Sequence, residues 1–585
     1  MYTWDLKPLY KGFNDKDFIN DRKLIFEKVD AIINLYVDDK IIKNQSLFLE
    51  TVLKEQEKLN ILVSKVIGFI SLTRSTDTGN IEANQALVSI QPLMGKFALI
   101  DSRLKQYLKN IENLNDVINR SDFLKQYSFL INETKKKIMF TMPEELEVLS
   151  SEMTQNGASL WGQMQSYLTS NAEVIFRGES KSLSEIRNLA YDNDATIRKE
   201  AFYKEQEIYK SIEDPISFAI SGIKGEVNIL HKRRGYETVI DEALFKSRMT
   251  QETLNALLEA MKDSLPHFQK YLLHKSKLLG HEKGLPWYDL FAPIGVSENR
   301  YTIEEAQEFI LEQFKTFGDD LFAMANRAFT EQWVDYLPRK GKVGGAFCSN
   351  NYAIKQSRVL TNFGGVIGDI ITLAHELGHA YHGEQIFKEA PLNSFYTMPV
   401  AETASTLCET IVKRAAYNKA KTKEEKVYLL EQELQDSTQV IVDIYSRFVF
   451  EESVFAARKK SIPNPKILNE LMLTAQKTAY GSALNWEYLN PGMWINKSHY
   501  YSAGLSYYNF PYAFGLLFAK GLYANYLKQG SIYVEKINEL LRLTGQMGVE
   551  DVALTVGINI KEKSFWEAGL KVIFDDIDTF IKITS

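Results

Sequence analysis

The chain has 585 residues and a mass of 67.1 kDa, too much for one hydrophobic core, so two or more lobes are expected. A composition of 45% hydrophobic and 25% charged residues excludes a disordered scaffold or a collagen-like fibre. With 69 basic against 75 acidic residues, the net charge of −6 lacks the basic excess of a protein that grips nucleic acid phosphates.

Taken from the start, Tyr2 to Lys7 shows no basic segment followed by an apolar run, so no signal peptide is visible. No apolar run reaches the roughly 18 residues that a membrane span needs. The expectation is no membrane partner and a cytoplasmic location. Helical periodicity then takes over. Leu47, Leu49, Val52, Leu53, Leu59, Leu62 and Val63 fall mostly at three- and four-residue spacings, with Glu55 and Lys58 on the other side. Thr76 to Asn80 reads as a turn into a helix carrying Ala83, Ala86, Leu87 and Ile90 on one face, and Pro92 kinks or ends it. A third helical stretch is expected from Leu104 to Leu130, and Pro143-Glu144-Glu145 opens another. Residues 1–140 therefore read as an N-terminal helical lobe and 141–585 as a second region. The basic run His231 to Arg234 reads as a solvated helix end. Strand material is scarce. Ser357 to Phe363 is the best candidate, closed by Gly364-Gly365, and Val359 to Phe363 has the pattern to pair with an extended peptide backbone. Asp369 is placed to cap a helix beginning near Ile370, and the tail from Pro463 reads as helices again. The fold class is mostly α with one small β-sheet beside the helix that follows it. Cys348 and Cys408 are too few for a disulfide framework and read as reduced thiols.

Chemistry concentrates at His375-Glu376-Leu377-Gly378-His379-Ala380-Tyr381-His382, which holds three of the eight histidines. This is H-E-x-x-H on a helical pattern, with Ile370, Leu373, Ala374 and Leu377 as the apolar side. Histidines four apart share a helix face, so His375 and His379 can reach one tetrahedral ion, and Glu376 can touch a metal-bound water without ligating the metal. A catalytic zinc needs a third ligand. Glu384 and Glu389 lie too near His379 for the chain to turn back. Glu402, 23 residues on and inside a helix start at Pro399, allows a return, and Glu409, seven residues further on the same face, suits a carboxylate that orients a ligand imidazole.

These residues, together with Asn362-Phe363-Gly364-Gly365 and Thr372-Leu373-Ala374, resemble the oligoendopeptidase F family, relatives of thimet oligopeptidase and neurolysin among zinc metallopeptidases. Gly344 to Ser349, Trp287 to Leu290 and Ala401 to Ser405 agree with it, and the resemblance covers roughly residues 150–580. It implies a two-lobed helical metallopeptidase, one Zn2+ on His375, His379 and Glu402, Glu376 as general base, and oligopeptides as substrates. It also draws in the aromatic run His499 to Tyr512, where family members carry His and Tyr donors for the transition state. Alignment through Pro511-Tyr512-Ala513 implies Tyr512 first, then His499 and Tyr508, with the choice among Tyr501, Tyr507 and Tyr508 open. The expected activity is internal cleavage of short peptides. Two alternatives are an exopeptidase of the same clan, of dipeptidyl carboxypeptidase type, and a non-catalytic peptide-binding helical protein.

Overall fold

A computed structural model describes residues 2–37, 42–295 and 299–585. Helices dominate, with two small sheets, and the chain forms two compact units, neither of them contiguous in sequence. Among the described residues no helix is long and apolar enough to cross a membrane.

The first unit joins residues 1–139 to 299–415 and 525–558. The sequence reading drew one boundary at 140/141; the contacts instead place the H-E-x-x-H segment in the same unit as the N-terminal helices. Those helices are capped as their sequences dictate. Asn44 accepts from the Leu47 amide at 3.2 Å to open a 32-residue helix, Gln45–Thr76, and Asn80 accepts from Ala83 at 2.9 Å to open Ile81–Ile90. Pro92 ends that helix, and Leu93–Lys109 follows. The expected single stretch from Leu104 to Leu130 is instead the end of that helix and three short ones, Leu114–Asn119, Asp122–Gln126 and Ser128–Lys137. Asn110, Asn113 and the capping Ser121 interrupt the periodicity there. Two apolar clusters among its described residues tie these helices to the later segments. One runs from Trp4 to Ile100 and takes in Leu360; the other runs from Phe48 to Ile131 and takes in Ala390.

The sheet of this unit has three strands in the order Val334–Asp335, Gln356–Leu360, Phe347–Asn351, the first pair parallel and the second antiparallel. Gln356–Leu360 is therefore central. Beyond it, the Thr361 and Phe363 amides donate to the carbonyls of Asp335 and Tyr336 at 2.9 and 2.8 Å. The amides of Val359, Thr361 and Phe363 are already used, which corrects the reading of this stretch as a strand open to a peptide; the edge strands are Val334–Asp335 and Phe347–Asn351.

The second unit joins residues 140–298, 416–524 and 559–585. Its axis is the 40-residue helix Ala195–Arg234, which closes on Gly235 in the left-handed region (φ +89°). The basic run at its end is less solvated than expected: His231 is buried with Nε2 2.9 Å from Glu242, and Arg234 pairs with Glu147 at 2.7 Å. A hairpin, Glu173–Phe176 with Glu179–Ser182, adds a sheet that the sequence reading missed. Its turn residues, Arg177 and Gly178, both have positive φ, so the only local signal was one glycine. Long helices Gln251–Leu278 and Lys563–Thr584 pack on each other, and the buried core gathers Ile216, Ile220, Phe450, Met472 and Trp494.

Candidate metal and catalytic site

The helix Ile367–Ile386 carries the H-E-x-x-H residues. It starts three residues before the sequence reading placed it, because Asp369 lies in the first turn instead of at the cap. From there its Oδ2 accepts the amides of Gly364 at 2.8 Å and Val366 at 3.0 Å. Gly365 sits at φ +85°, a conformation that favours glycine, and turns the chain from sheet to helix. Ile370, Leu373, Ala374 and Leu377 are fully buried, as the apolar stripe requires. Gly378 fixes what lies opposite: a Cβ there would come within 2.5 Å of Ser405 Cα and 2.6 Å of the Ala404 carbonyl. The helix Thr403–Lys419 can thus lie directly against it.

That contact places Glu402. The short helix Met398–Ala401, with Pro399 in its first turn, breaks at Glu402 before Thr403–Lys419 begins. Glu402 Oε2 lies 3.3 Å from His375 Nε2 and 3.5 Å from His379 Nε2, and the three donor atoms all fall within 4.8 Å of one another. Bonds of about 2.0–2.2 Å to a tetrahedral ion hold ligand atoms about 3.3–3.6 Å apart, so this donor set fits a zinc-sized ion. The surroundings orient each ligand. His375 Nδ1 lies 3.0 Å from Glu409 Oε2, which turns its Nε2 toward Glu402. Glu409 in turn holds Lys413, four residues on. His379 is bonded to the Ala401 carbonyl, and the Ser405 hydroxyl donates to Glu402 Oε2 at 2.9 Å. Asn350, on the edge strand, donates to the His379 carbonyl at 3.2 Å and accepts from Ser357 at 2.7 Å. Gly383 leaves room for it, since a Cβ there would meet Asn350 Oδ1 at 2.5 Å.

The electrostatics separate the groups. Burial works against charge on Glu402, but its bond to His375 and the charges of both histidines hold it down at about 2. Burial also opposes the proton on His375, yet the bonds to Glu402 and Glu409 outweigh it and lift that group to about 10, while burial drives His379 down to about 4. Glu376 is different. Burial pushes it up to about 7, with His375 pulling down and Glu402 pushing up. A carboxylate titrating near neutrality suits a group that takes and returns a proton.

In the second unit, His499, Tyr508 and Tyr512 form a cluster. The Tyr508 and Tyr512 hydroxyls are 2.6 Å apart, and the Tyr508 ring lies over His499 with centroids 5.7 Å apart. Asn509 Oδ1 accepts from Arg447 at 3.2 Å, so its amide nitrogen is the group 2.8 Å from His499 Nε2. That nitrogen therefore accepts, and Nδ1 carries the proton. Burial, then the charges of Arg447, Lys497 and Lys224, press the imidazole down to about 3, so it stays neutral. The open choice among tyrosines narrows on geometry. Tyr501 is buried and gives its hydroxyl to the Trp494 carbonyl at 3.0 Å; Tyr507 is buried against Phe448 and Phe455; Tyr508 pairs with Tyr512.

The family model described as Peptidase family M3 matches residues 188–572, about two-thirds of the chain. The chain belongs to peptidase family M3. This M3 peptidase is 25% identical to an oligoendopeptidase F homolog of Borreliella burgdorferi over 99% of the chain and 98% of that relative. It is 23% identical to the oligopeptidase PepF of Bacillus subtilis over 89% and 79% respectively. Among solved structures, a Chlamydophila abortus protein superposes with a TM-score of 0.86 at 21% identity, covering 99% and 98% of the two chains. Oligoendopeptidase-F from Enterococcus faecium superposes at 0.70 and 17% identity, covering 97% and 99%. The resemblance drawn from the motif residues is borne out, as is the mostly helical fold. Sequence reasoning did not single out Asn350, Ser405, Lys413, Arg447 or Asn509. Ser405 and Lys413 carried a usable signal, lying three and four residues after Glu402 and Glu409 on helices; the others carried none.

Proposed function

We propose that this M3 peptidase is a zinc-dependent endopeptidase of short oligopeptides, with His375, His379 and Glu402 as the metal ligands. The observation that carries this is the spacing of 3.3 and 3.5 Å from both imidazoles to one Glu402 oxygen, with Glu376, titrating near 7, on the same helix. Zinc bound there supplies Lewis acidity, which acidifies a water and polarises the scissile carbonyl. Glu376 removes a proton from the attacking water as the new C–O bond forms, then returns it to the departing amine nitrogen as the C–N bond breaks. Glu409 holds His375 in the tautomer that presents its Nε2 lone pair. His499, through Nδ1–H, and Tyr512 and Tyr508, through their hydroxyls, donate to the carbonyl oxygen as it gains negative charge, the role the resemblance implies for them. The names of the relatives, oligopeptidase and oligoendopeptidase, support short peptides as substrates.

The test is hydrolysis of an internally quenched nonapeptide by the wild type and by Glu376→Gln, each with its metal content measured. Internal cleavage by a wild type carrying one zinc is expected. The variant should keep its zinc and lose activity by about three to five orders of magnitude. Products released only as dipeptides from the carboxyl end would favour the exopeptidase reading. Stoichiometric zinc with every peptide left intact would overturn the assignment.

A further inference from the structure

The loop that carries the tyrosine cluster is held in an unusual conformation. Tyr507, the residue before Tyr508, has φ +54°, in the left-handed region. A bulky residue rarely adopts it, because its Cβ crowds the carbonyl oxygen, and it persists only where the surroundings fix it. Here they do so from one helix, Ile444–Arg458. Arg447, Glu451 and Phe455, at four-residue spacing, share one face of that helix. Glu451 Oε2 accepts the Tyr507 amide at 3.1 Å, and the Phe448 and Phe455 rings lie 5.1 and 5.8 Å from the Tyr507 ring by their centroids. Arg447 donates to Asn509 at 3.2 Å. The residues on both sides of Tyr508 are thus tied to the same helix, and Asn509 is also the partner of His499.

Glu451 is buried, and its other oxygen pairs at 2.6 Å with Lys224, which is wholly buried on the helix Ala195–Arg234. Taking both charges out of water offsets most of their attraction, so two apolar side chains would join these helices as well. An apolar pair could not, however, accept a backbone amide. A carboxylate can, and its two oxygens serve the Lys224 ammonium and the Tyr507 amide together. The Lys224 ammonium also lies 4.7 Å from the ring centroid of Phe455 and 5.9 Å from that of Tyr500, the residue after His499. The ion pair therefore reaches the chain neighbours of both His499 and Tyr508.

We propose that Glu451, held by Lys224, is a positioning residue of the peptidase reaction. By taking the Tyr507 amide it fixes the left-handed turn that brings the Tyr508 hydroxyl within 2.6 Å of that of Tyr512. The inference rests on the reading of Tyr508 and Tyr512 as donors to the developing oxyanion. Glu451 acts through the backbone, not on the substrate. Without its bond Tyr507 relaxes to negative φ, which turns the next peptide and moves the Tyr508 ring off its place. A misplacement of about 1 Å costs on the order of 10²-fold in rate. Zinc is held by other residues, and a donor to the transition state does nothing for the bound substrate, so the loss falls on kcat.

Hydrolysis of the quenched nonapeptide by the zinc-loaded full chain tests this with two double variants. Lys224→Met/Glu451→Met removes both charges and the acceptor; it should fold, lose about 10- to 100-fold in kcat, and keep its KM and zinc content. Lys224→Gln/Glu451→Gln is equally uncharged but keeps an oxygen for the Tyr507 amide, and should recover kcat to within about threefold of wild type. Should the Met pair not fold, Glu451→Gln takes its place, since one amide oxygen cannot serve both donors. Tyr508→Phe alone should lower kcat at least about tenfold, and combining it with the Met pair should cost no more than about twofold further, because both changes remove the same donor. A wild-type kcat in Tyr508→Phe would overturn the donor role of Tyr508, and the inference with it. With Tyr508→Phe slow, three results would each overturn the role of Glu451 alone: a Met pair with wild-type kcat, a Gln pair as slow as the Met pair, or losses that multiply in the combined variant.

Discussion

Glu409 touches no candidate ligand atom, yet it decides which nitrogen of His375 faces the metal site, 3.0 Å from the other one. Carboxylates in this position typically account for a 10–100-fold change in metal affinity. Glu409→Gln should therefore weaken zinc binding by about that factor, measured by competition with a chromogenic chelator, and leave kcat nearly unchanged once zinc is saturating. A fall in kcat with zinc affinity intact would show instead that Glu409 acts on the reaction. Tyr512→Phe should do the opposite: kcat down by about 10²–10³ with zinc affinity and KM little moved, because a hydroxyl serving the transition state contributes nothing before it forms. His382, third histidine of the motif, belongs to neither group. It is fully buried, stacked on Tyr396 at 4.0 Å, with Nε2 2.8 Å from the Thr544 hydroxyl, and burial holds it down at about 3. Between about 3 and its ordinary value near 6.5 the unfolded chain binds a proton there that the folded chain does not, so folding stability falls as pH falls through that window. From pH 7 to pH 5 the loss from this one residue is about 2 kcal/mol. Urea unfolding of the chelator-treated protein at both pH values should show it, and His382→Asn should lessen the difference; an unchanged difference in the variant would refute the assignment. At this scale the informative signal in the sequence was helical periodicity. Residues four apart on a helix must share a face, which fixed His375 and His379, and the length of chain needed to return favoured Glu402. Asn350 and Asn509 were invisible because they reach their partners across strands and loops, where spacing says nothing about proximity.

Two helices in contact bring the candidate metal ligands together, and Gly378 sets how close they come. A methyl group there meets Ser405 Cα at 2.5 Å and the Ala404 carbonyl at 2.6 Å, backbone atoms that cannot swing aside. Gly378→Ala should therefore move Glu402 away from the imidazoles, destabilise the protein by about 1–3 kcal/mol, and reduce zinc affinity at least tenfold. Thermal melting and chelator competition read the two effects. An alanine variant with wild-type zinc affinity would mean that the helices are free to separate without consequence. This is the scale at which sequence patterns succeed or fail as a whole. The 32-residue helix Gln45–Thr76 was legible because its apolar stripe persists over many turns between an Asn cap and an Asp-Thr-Gly turn. The region after Lys109 carries residues that favour turns over helix interiors, and the chain breaks at Asn110 and Asn113 and again at Ser121, whose hydroxyl accepts the Leu124 amide. The strand expected at Ser357 to Phe363 is present as Gln356–Leu360, three residues shorter at its end, and its central position depended on neighbours that hydrophobic alternation does not specify.

Across the whole chain, the division into units follows burial and not sequence order. The segment that holds the H-E-x-x-H helix leans on the N-terminal helices at several points. Leu360 belongs to the cluster that includes Trp4, Phe69 and Ile90, and Ala390 to the one that includes Phe48 and Tyr127. Polar groups lock the same contacts: Asn351 donates to the Ser64 carbonyl at 2.9 Å, Asn393 to the Gln126 carbonyl at 3.0 Å, and the buried Arg358 guanidinium to the Asp5 carbonyl at 2.9 Å. Composition and periodicity marked residues 1–140 as helical but could not show what those helices cover, since that information resides in contacts between segments hundreds of residues apart. The consequence is testable. A chain lacking residues 1–139 would expose the apolar faces around Leu360 and Ala390 and leave the Arg358 charge buried beside fewer acceptors, each a destabilisation of about 2–5 kcal/mol against a total stability of about 5–15 kcal/mol. The fragment of residues 140–585 should therefore aggregate or fail to bind stoichiometric zinc, although it retains His375, His379, Glu376 and Glu402. Circular dichroism and zinc analysis of the purified fragment decide it. Should that fragment stay soluble and hold one zinc as tightly as the full chain, the N-terminal helices are dispensable to the metal site, and the shared core is not what positions it.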